Sequence, residues 1–265
     1  MDALTRHRLA RIGLDPAVVE AQPLDERIET VHAAFVRSLP CETLSRLRTR
    51  RAQPHAPDAW TRGTDRVLRD HETEGSGGCC FELAYALAAV FRGVGAVAHA
   101  TLARPLVGED AHAAVLTFRA GGAYLHDPGH LVPAGVPVRP GGTVHDALHD
   151  HVLEPRGGAT LLFVRRGPDG VRVPLYALVA LPAPADGFRR AWLDAALHQR
   201  DGESAISRRR GDLLESWDER DGRVEVTTPT GRRLETLGSD PAADLHRRFG
   251  LSEPLLRANL SPLRT

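Results

Sequence analysis

The first third of the chain carries apolar residues at helical spacing. Over residues 24–38 they recur every three or four positions, which predicts an amphipathic helix that Pro40 ends. Asp2 is suited to cap an opening helix that runs to about residue 11. An Ala-rich apolar run predicts a further helix over 83–92. This part of the chain is therefore expected to be a helical bundle.

The middle of the chain changes to short runs broken by Gly and Pro. Strands are predicted at 96–103, 112–118, 123–127, 159–165 and 171–180. Strands of this length and spacing favour a small antiparallel barrel or sandwich. Pro182 and Pro184 mark a boundary, after which residues 187–199 predict a helix.

The last segment mixes the two patterns. Weak alternation predicts strands at 213–217, 223–228 and 232–237, and a short helix is predicted over 241–249 with Gly250 as its end. The order of patterns is helices, then strands, then a mixed cap, so the fold class is expected to be α+β. No segment reaches the ~20 apolar residues of a membrane-spanning helix.

Composition excludes some functions. The 265 residues carry 34 basic and 34 acidic side chains, all the basic ones arginine, so bulk charge indicates neither a nucleic acid nor a membrane partner. Three cysteines are too few for a disulfide framework and favour a reducing compartment. The charged N-terminus lacks the apolar run of a signal peptide. We therefore expect a cytoplasmic protein.

Candidate chemistry begins at residues 75–82, Gly-Ser-Gly-Gly-Cys-Cys-Phe-Glu, just before the Ala-rich helix. A helix N-terminus carries roughly half a positive charge and unpaired N–H groups, which favour thiolate over thiol. Cys79 and Cys80 compete for the role of nucleophile. Free cysteines are also often small buried hydrophobes, so the choice depends on their partners.

A base and an orienting acid are available on the predicted strands. If residues 119–122 form a hairpin loop, Phe118 pairs with Ala123, and Asp127 becomes the diagonal neighbour of His112 on one face of the sheet. Such neighbours lie about 7–8 Å apart between backbones, within side-chain reach. Asp127 would then hold the His112 ring in the tautomer that accepts a proton from a thiol.

These residues resemble the arylamine N-acetyltransferase family. The family's Arg-Gly-Gly-x-Cys-x-Glu is similar to residues 76–82, its His that opens a strand to His112, and its Tyr-Leu-x-Asp to residues 124–127. Weaker similarities lie at residues 10–14, 39–44 and 245–251. The resemblance implies a triad of Cys80, His112 and Asp127.

The resemblance also implies the architecture. It predicts a helical bundle with the nucleophile over residues 1–94 and an antiparallel β-barrel with the His and Asp over 95–185. An interdomain helix would follow over 186–200, and an α/β lid over 201–265. The Cys-His-Asp site would lie between bundle and barrel, as in papain-like proteases.

The implied activity is ping-pong acyl transfer. Cys80 would take an acetyl group from acetyl-CoA, a co-substrate rather than a permanently bound cofactor, and pass it to an arylamine, hydrazine or hydroxylamine. Backbone N–H groups near Cys80 would stabilise the oxyanion. The loop after Asp127 borders the acyl and acceptor pocket in the family, so Gly129 and His130 are the implied cofactor-binding residues.

The sequence departs from the family pattern at several places, among them Cys41 and Thr43, which replace the Phe and Asn of the upstream motif. Ser76 stands where the family has the arginine that pairs with an upstream glutamate, here Glu42, so another arginine must compensate. The loop Pro128-Gly129-His130-Leu131 replaces Val-Gly-Phe-Gly, which puts the acceptor in doubt. Aromatic residues form only 5% of the chain and leave few rings to stack on an arylamine.

Other functions stay open. One branch of the family makes amides in natural-product pathways from an acyl carrier protein, and the same triad also suits a thiol hydrolase or amidase. If the departures disable the site, a non-enzymatic binding role is left. The pairs His145/His149 and His126/His130 have a spacing that zinc sites use, but no Glu lies between the first pair, and we expect solvated loop residues and no metal.

Overall fold

The computed structural model describes residues 1–106, 111–167, 170–200 and 202–260. The predicted lid therefore includes residues, 201 and 261–265, that lie outside the described part. Within it the helices are α1 (Ala3–Arg11), α2 (Pro16–Ala21), α3 (Leu24–Ser38), α4 (Leu44–Ala52), α5 (Thr64–Glu74), α6 (Cys80–Gly93), α7 (Ala185–His198), α8 (Pro241–Phe249) and α9 (Glu253–Asn259). A 3₁₀ turn spans Pro57–Trp60.

Local signals explain several helix ends. The Asp2 side chain accepts a hydrogen bond from the backbone of Thr5 at the start of α1, as its type predicts. Gly250 ends α8 with a φ of 75°, in the left-handed region that glycine adopts without steric cost. The helix predicted over 83–92 begins three residues earlier, at Cys80.

An eight-stranded antiparallel sheet forms the centre of the molecule. Its members are β2 (Val97–Pro105), β3 (His112–Arg119), β4 (Gly122–His126), β5 (Val136–Pro137), β6 (Gly142–His145), β7 (Asp150–Gly157), β8 (Thr160–Arg166) and β9 (Arg172–Val179). The spatial order is β5-β4-β3-β2-β9-β8-β7-β6, and the edge strands β5 and β6 contact each other, so the sheet is a nearly closed barrel. Barrel closure removes the exposed strand edges.

A second antiparallel sheet combines one strand from the helical part with four strands of the C-terminal part. It contains β1 (Cys41–Glu42), β10 (Ala205–Arg210), β11 (Leu213–Asp218), β12 (Arg223–Thr228) and β13 (Gly231–Thr236), in that order. Helices α8 and α9 supply apolar residues to the core on this sheet, with Trp217 and Val224 facing them. β1 comes from the helical part, and its Glu42 N–H donates to the Gly78 carbonyl at 2.9 Å, which connects the lid sheet to the glycine turn before Cys80.

Helix α6 lies at the core of the helical part. Phe81, Leu83, Leu87 and Phe91 are buried in one cluster with residues from α1, α3, α5 and α7. The same cluster includes Val115 of β3, so the helical core continues onto the barrel. The shared cluster holds the start of α6 against the barrel.

The predicted fold class is confirmed, while some elements differ. The sequence pattern missed α2, α4, α5, α9 and the strands β1, β5, β6, β7 and β10. The boundaries at residues 94, 185 and 200 stay a proposed division, and each lies close to the end of a helix. Among the described residues, no helix combines the length and apolar character needed to cross a membrane.

Candidate active site

The first turn of α6 positions Cys80. Cys79 is the N-cap residue, and the Glu82 carboxylate accepts a hydrogen bond from the Cys79 backbone N–H at 3.0 Å. The Cys79 side chain in turn interacts with the backbone of Glu82, which completes a capping box. Cys80 is therefore the first helical residue, next to the positive end of the helix dipole.

A buried arginine holds this turn in place. Arg62 has no exposed side-chain surface, and its Nε and Nη2 donate to the two Glu82 oxygens at 2.8 and 2.9 Å. Nη2 also donates to the Gly77 carbonyl at 2.8 Å, and Nη1 to Asp70 at 3.0 Å. Arg62 thus fastens the glycine turn and the N-terminus of α6 together.

Arg62 also supplies the compensation predicted for Ser76. Its Nη2 lies 3.8 Å from the buried Glu42 carboxylate, and Ser45 bridges the two by accepting from Arg62 and donating to Glu42. Burial raises the pKa of Glu42, and the Arg62 charge only partly offsets this. The expectation of a compensating arginine is confirmed, although the sequence did not indicate which one.

The β3–β4 hairpin brings His112 and Asp127 together. Phe118 pairs with Ala123, as predicted, although Arg119 and Gly122 also pair, so the loop itself is only residues 120–121. The His112 Nε2 lies 3.1 and 3.0 Å from the two carboxylate oxygens of Asp127. The register and the pairing follow the sequence prediction; the catalytic roles stay a proposal.

Asp127 is buried and fully hydrogen-bonded. Besides His112, its carboxylate accepts from the backbone N–H of His130 at 3.0 Å and from the Tyr176 hydroxyl at 2.8 Å. Burial opposes ionisation, but the charge and hydrogen bond of His112, with the backbone N–H of His130, outweigh it and lower the Asp127 pKa. Asp127 is therefore an anion that can fix the ring of His112.

Tyr176 is a member of the site that the sequence analysis missed. Its ring stacks on His112, with centroids 4.8 Å apart, while its hydroxyl donates to Asp127. The residue lies on β9, 49 positions from Asp127. No local pattern in the sequence marks such a contact, because it depends on barrel closure.

The side chain of Cys80 lies beside the ring of His112, because a Cβ built on Gly129 would be 2.7 Å from the Cys80 Cβ and 2.9 Å from His112 Cε1. Because His112 Nε2 faces Asp127, Nδ1 is the ring nitrogen left to face Cys80. Burial opposes the Cys80 thiolate, but the hydrogen bond and charge of His112, with the N–H of Ala113, lower the Cys80 pKa. Burial likewise opposes the imidazolium, and Asp127 and Cys80 outweigh it, raising the pKa of His112 to about 10. The pair favours thiolate and imidazolium.

The other two thiols have the opposite electrostatics. Burial and the nearby Glu82 carboxylate raise the pKa of Cys79 to about 12. Burial also raises the pKa of Cys41 well above its ordinary value, with neighbouring thiols adding to the effect. Among the three cysteines only Cys80 has a lowered pKa, which separates the two adjacent candidates of the sequence analysis.

The loop after Asp127 closes over the thiol. A Cβ at Gly129 would lie 2.7 Å from the Cβ of Cys80 and 2.9 Å from Cε1 of His112, so only glycine fits there. His130 tilts against His112 with centroids 4.6 Å apart. Leu131 follows with a φ of 54°, a strained conformation at a residue beside the site. Gly129 thus borders Cys80 and His130 borders the His112 ring; cofactor binding by them stays a proposal.

The histidine pairs considered for metal binding are divided between different clusters. His126 lies with His32 and Glu29, whereas His130 lies with His112 and Asp127. A third cluster contains Asp146, His149 and His151, while His145 is exposed and pairs with Asp150. The expectation of solvated loop residues is wrong for His126, whose ring is buried and contacts His32 and Thr117.

Burial also corrects the expectation for the third cluster. His151 is buried because its ring stacks on Phe163 inside the barrel, and its Nε2 bonds with Asp146. His149 is buried beside His151. Arg209 donates to the same Asp146 oxygen at 3.0 Å, so a cation there would compete with a guanidinium.

Fold and site together define an α+β protein in which a cysteine at a helix N-terminus faces a His–Asp pair on a β-barrel. No protein-family model matches this sequence, and a comparison with curated proteins finds no relative. Solved structures do match over nearly the whole chain, and those compared are arylamine N-acetyltransferases. The chain therefore has the arylamine N-acetyltransferase fold.

Three of these structures illustrate the match. The Mycobacterium abscessus enzyme is 19% identical, with coverage of 97% of this chain and 95% of that one and a TM-score of 0.79. The Salmonella typhimurium enzyme is 15% identical, with 98% coverage of both chains and a TM-score of 0.77. The Mycobacterium marinum enzyme in complex with CoA is 16% identical, with 95% and 96% coverage and a TM-score of 0.74.

Proposed function

We propose that this protein is an N-acyltransferase of the arylamine N-acetyltransferase family that works through a thioester on Cys80. The observation that carries the proposal is the position of Cys80 beside the His112 ring, which Asp127 holds through a contact of 3.0 Å to Nε2. Of the three cysteines, only Cys80 has a lowered pKa, whereas those of Cys79 and Cys41 are raised. A thiolate is a good nucleophile for a thioester carbonyl, and the thioester it forms has similar energy to the one it breaks.

The first half-reaction transfers the acyl group to the enzyme. The Cys80 sulfur bonds to the carbonyl carbon of the donor thioester, and the carbonyl electrons move to oxygen. Collapse of this intermediate expels the donor thiolate, which takes the proton of the His112 imidazolium. Asp127 stays ionised throughout and holds the ring.

The second half-reaction releases the product. The amine nitrogen attacks the Cys80 thioester while neutral His112 removes the amine proton. The carbon–sulfur bond then breaks, and an amide leaves beside a restored thiolate–imidazolium pair. The chemistry needs no metal ion or bound cofactor in any of these steps.

The donor we propose is acetyl-CoA, because one structure with this fold holds CoA. A cavity of about 310 Å³ between the barrel and the lid sheet is lined by Arg165 and Arg232, with Glu225 at 3.5 Å from Arg232, so Arg165 is the cation it offers to a phosphate-bearing donor. The acceptor we propose is a small arylamine or hydrazine, because the solved structures compared are arylamine N-acetyltransferases.

Intact-mass measurement tests this function. Incubation with acetyl-CoA should add one acetyl group, and addition of aniline should remove it and yield acetanilide. Cys80→Ser should not be labelled, whereas Cys79→Ser, which removes the adjacent thiol, should be labelled normally. Labelling that persists in Cys80→Ser, or acid release without amide, would contradict the proposal.

A further inference from the structure

A cavity of about 710 Å³ opens between α6, α7 and the first half of β2, away from the candidate active site. Tyr85 and Arg92 of α6 line it together with Phe188, Arg189 and Trp192 of α7. None of the active-site residues described above contributes to its lining. Its volume is in the range of small-molecule sites, roughly 300–1,000 Å³.

One end of the cavity is aromatic. The rings of Tyr85 and Trp192 lie 5.6 Å apart, and those of Phe188 and Trp192 lie 6.0 Å apart. Tyr85 is 42% exposed, a large uncovered area for a ring that packs on buried neighbours. The small side chains of Ala88 and Ala100 leave the space in front of these rings open. A planar ring is the shape that this wall would cover best.

The cavity also favours negative charge. Arg92 and Arg189 contribute two guanidinium groups, against one carboxylate from Asp186. Arg189 donates to the exposed Asp58, and Arg92 donates to the backbone carbonyl of Ala98. Among the residues that the structure describes, neither guanidinium is seen to bond with a buried carboxylate. The carboxylate of Asp186 lies in the first turn of α7 and offsets the positive end of that helix, so the two guanidinium groups supply the positive charge of the cavity.

A buried donor gives an independent indication of a ligand. The indole N–H of Trp192 is buried and has no hydrogen-bond partner within the described part of the chain, although the ring lines the cavity. An unsatisfied buried donor is unfavourable, because it has lost its bonds to water.

We propose that this cavity is a second ligand site for a small aromatic anion such as an aromatic carboxylate. The ligand ring packs against Tyr85 and Trp192, and its carboxylate lies toward Arg92 and Arg189. The inference goes beyond the proposed function and does not depend on acyl transfer at Cys80.

Nitrogen-15 spectra of the tryptophan side chains test the site directly. The protein has three tryptophans, Trp60, Trp192 and Trp217, and Trp192→Phe assigns the signal from the cavity. Titration with 2-naphthoate should shift the Trp192 signal with a dissociation constant of about 1 mM or below. The neutral 2-naphthalenemethanol should bind at least about five-fold more weakly. Unchanged Trp60 and Trp217 signals show that the fold is intact.

Variants separate this site from others. Arg189→Gln should weaken 2-naphthoate about five-fold, whereas Arg190→Gln, an exposed neighbour outside the lining, should not. Ala100→Leu should fill the cavity and prevent binding, while Cys80→Ser should bind normally. A Trp192 signal that never moves, equal affinity for acid and alcohol, equal effects of the two arginine variants, or loss of binding in Cys80→Ser would each overturn the proposal.

Discussion

Replacement of Arg62 by Met should lower the free energy of unfolding by several kcal/mol, about 3–5. The side chain is fully buried and pairs with the Glu82 carboxylate through two hydrogen bonds of 2.8 and 2.9 Å. Its removal takes away the guanidinium that bonds with the buried Glu82 carboxylate and lies 3.8 Å from Glu42. Breaking a buried ion pair from one side costs about 3–5 kcal/mol.

Urea unfolding at pH 7 measures this loss, with Arg66→Met as the matched control. Arg66 is 44% exposed and lies 3.9 Å from Asp70, so its removal should change the free energy of unfolding by no more than about 0.5 kcal/mol. Arg62→Lys keeps the charge but loses the paired hydrogen bonds and should fall between the two.

The pH dependence of the free energy of unfolding gives a second test. In Arg62→Met the pKa values of the Glu42 and Glu82 carboxyls should be higher in the folded than in the unfolded state. The free energy of unfolding of the variant should therefore rise as the pH falls from the folded-state pKa toward the unfolded-state pKa, and fall as the pH rises over the same range. Its deficit against the wild type should therefore shrink between pH 7 and pH 5. A small deficit equal to that of Arg66→Met and independent of pH would refute the argument.

Three further outcomes concern the candidate site. The rate at which iodoacetamide labels Cys80 should fall as the pH drops through the lowered pKa of the thiol, with a pH midpoint below the ordinary cysteine pKa of about 8.5. His112→Ala should move this midpoint upward. A single midpoint shared by both proteins would contradict the ion pair. Gly129→Ala should slow acyl transfer about 10-fold to 100-fold, since its Cβ would displace Cys80 or His112, and unchanged steady-state rates would count against that packing. Tyr176→Phe should lose about 1.5–3 kcal/mol in urea unfolding, because Asp127 loses a donor, while a loss near zero would mean the bond is not formed in solution.

Several parts of the site were predictable because they are local. The glycine turn before an apolar helix places Cys80 at the helix N-terminus through backbone geometry alone. The hairpin register puts His112 and Asp127 on one face, since side chains alternate with a period of two along a strand. These relations span a few residues up to 15 positions and need no knowledge of the remaining chain.

The strands β6 and β7 show where local patterns fail. Gly142–His145 and Asp150–Gly157 contain Gly, Asp and Pro, which are poor strand formers, and the sequence analysis predicted no strand there. In the structure β7 pairs with β8 along its length, and His151 turns inward to stack on Phe163. Pairing and burial overrode the weak propensity.

Sequence alone determined the order of helical, sheet and mixed parts, the thiol at the start of α6 and the partners His112 and Asp127. Only the tertiary structure decided which arginine neutralises Glu42, that Tyr176 supports Asp127, and that Cys80 rather than Cys79 has the lowered pKa. The physical reason is that charge pairing and desolvation depend on what surrounds a group in space. Those surroundings come from segments distant in the chain, which barrel closure and the packing of α6 bring together.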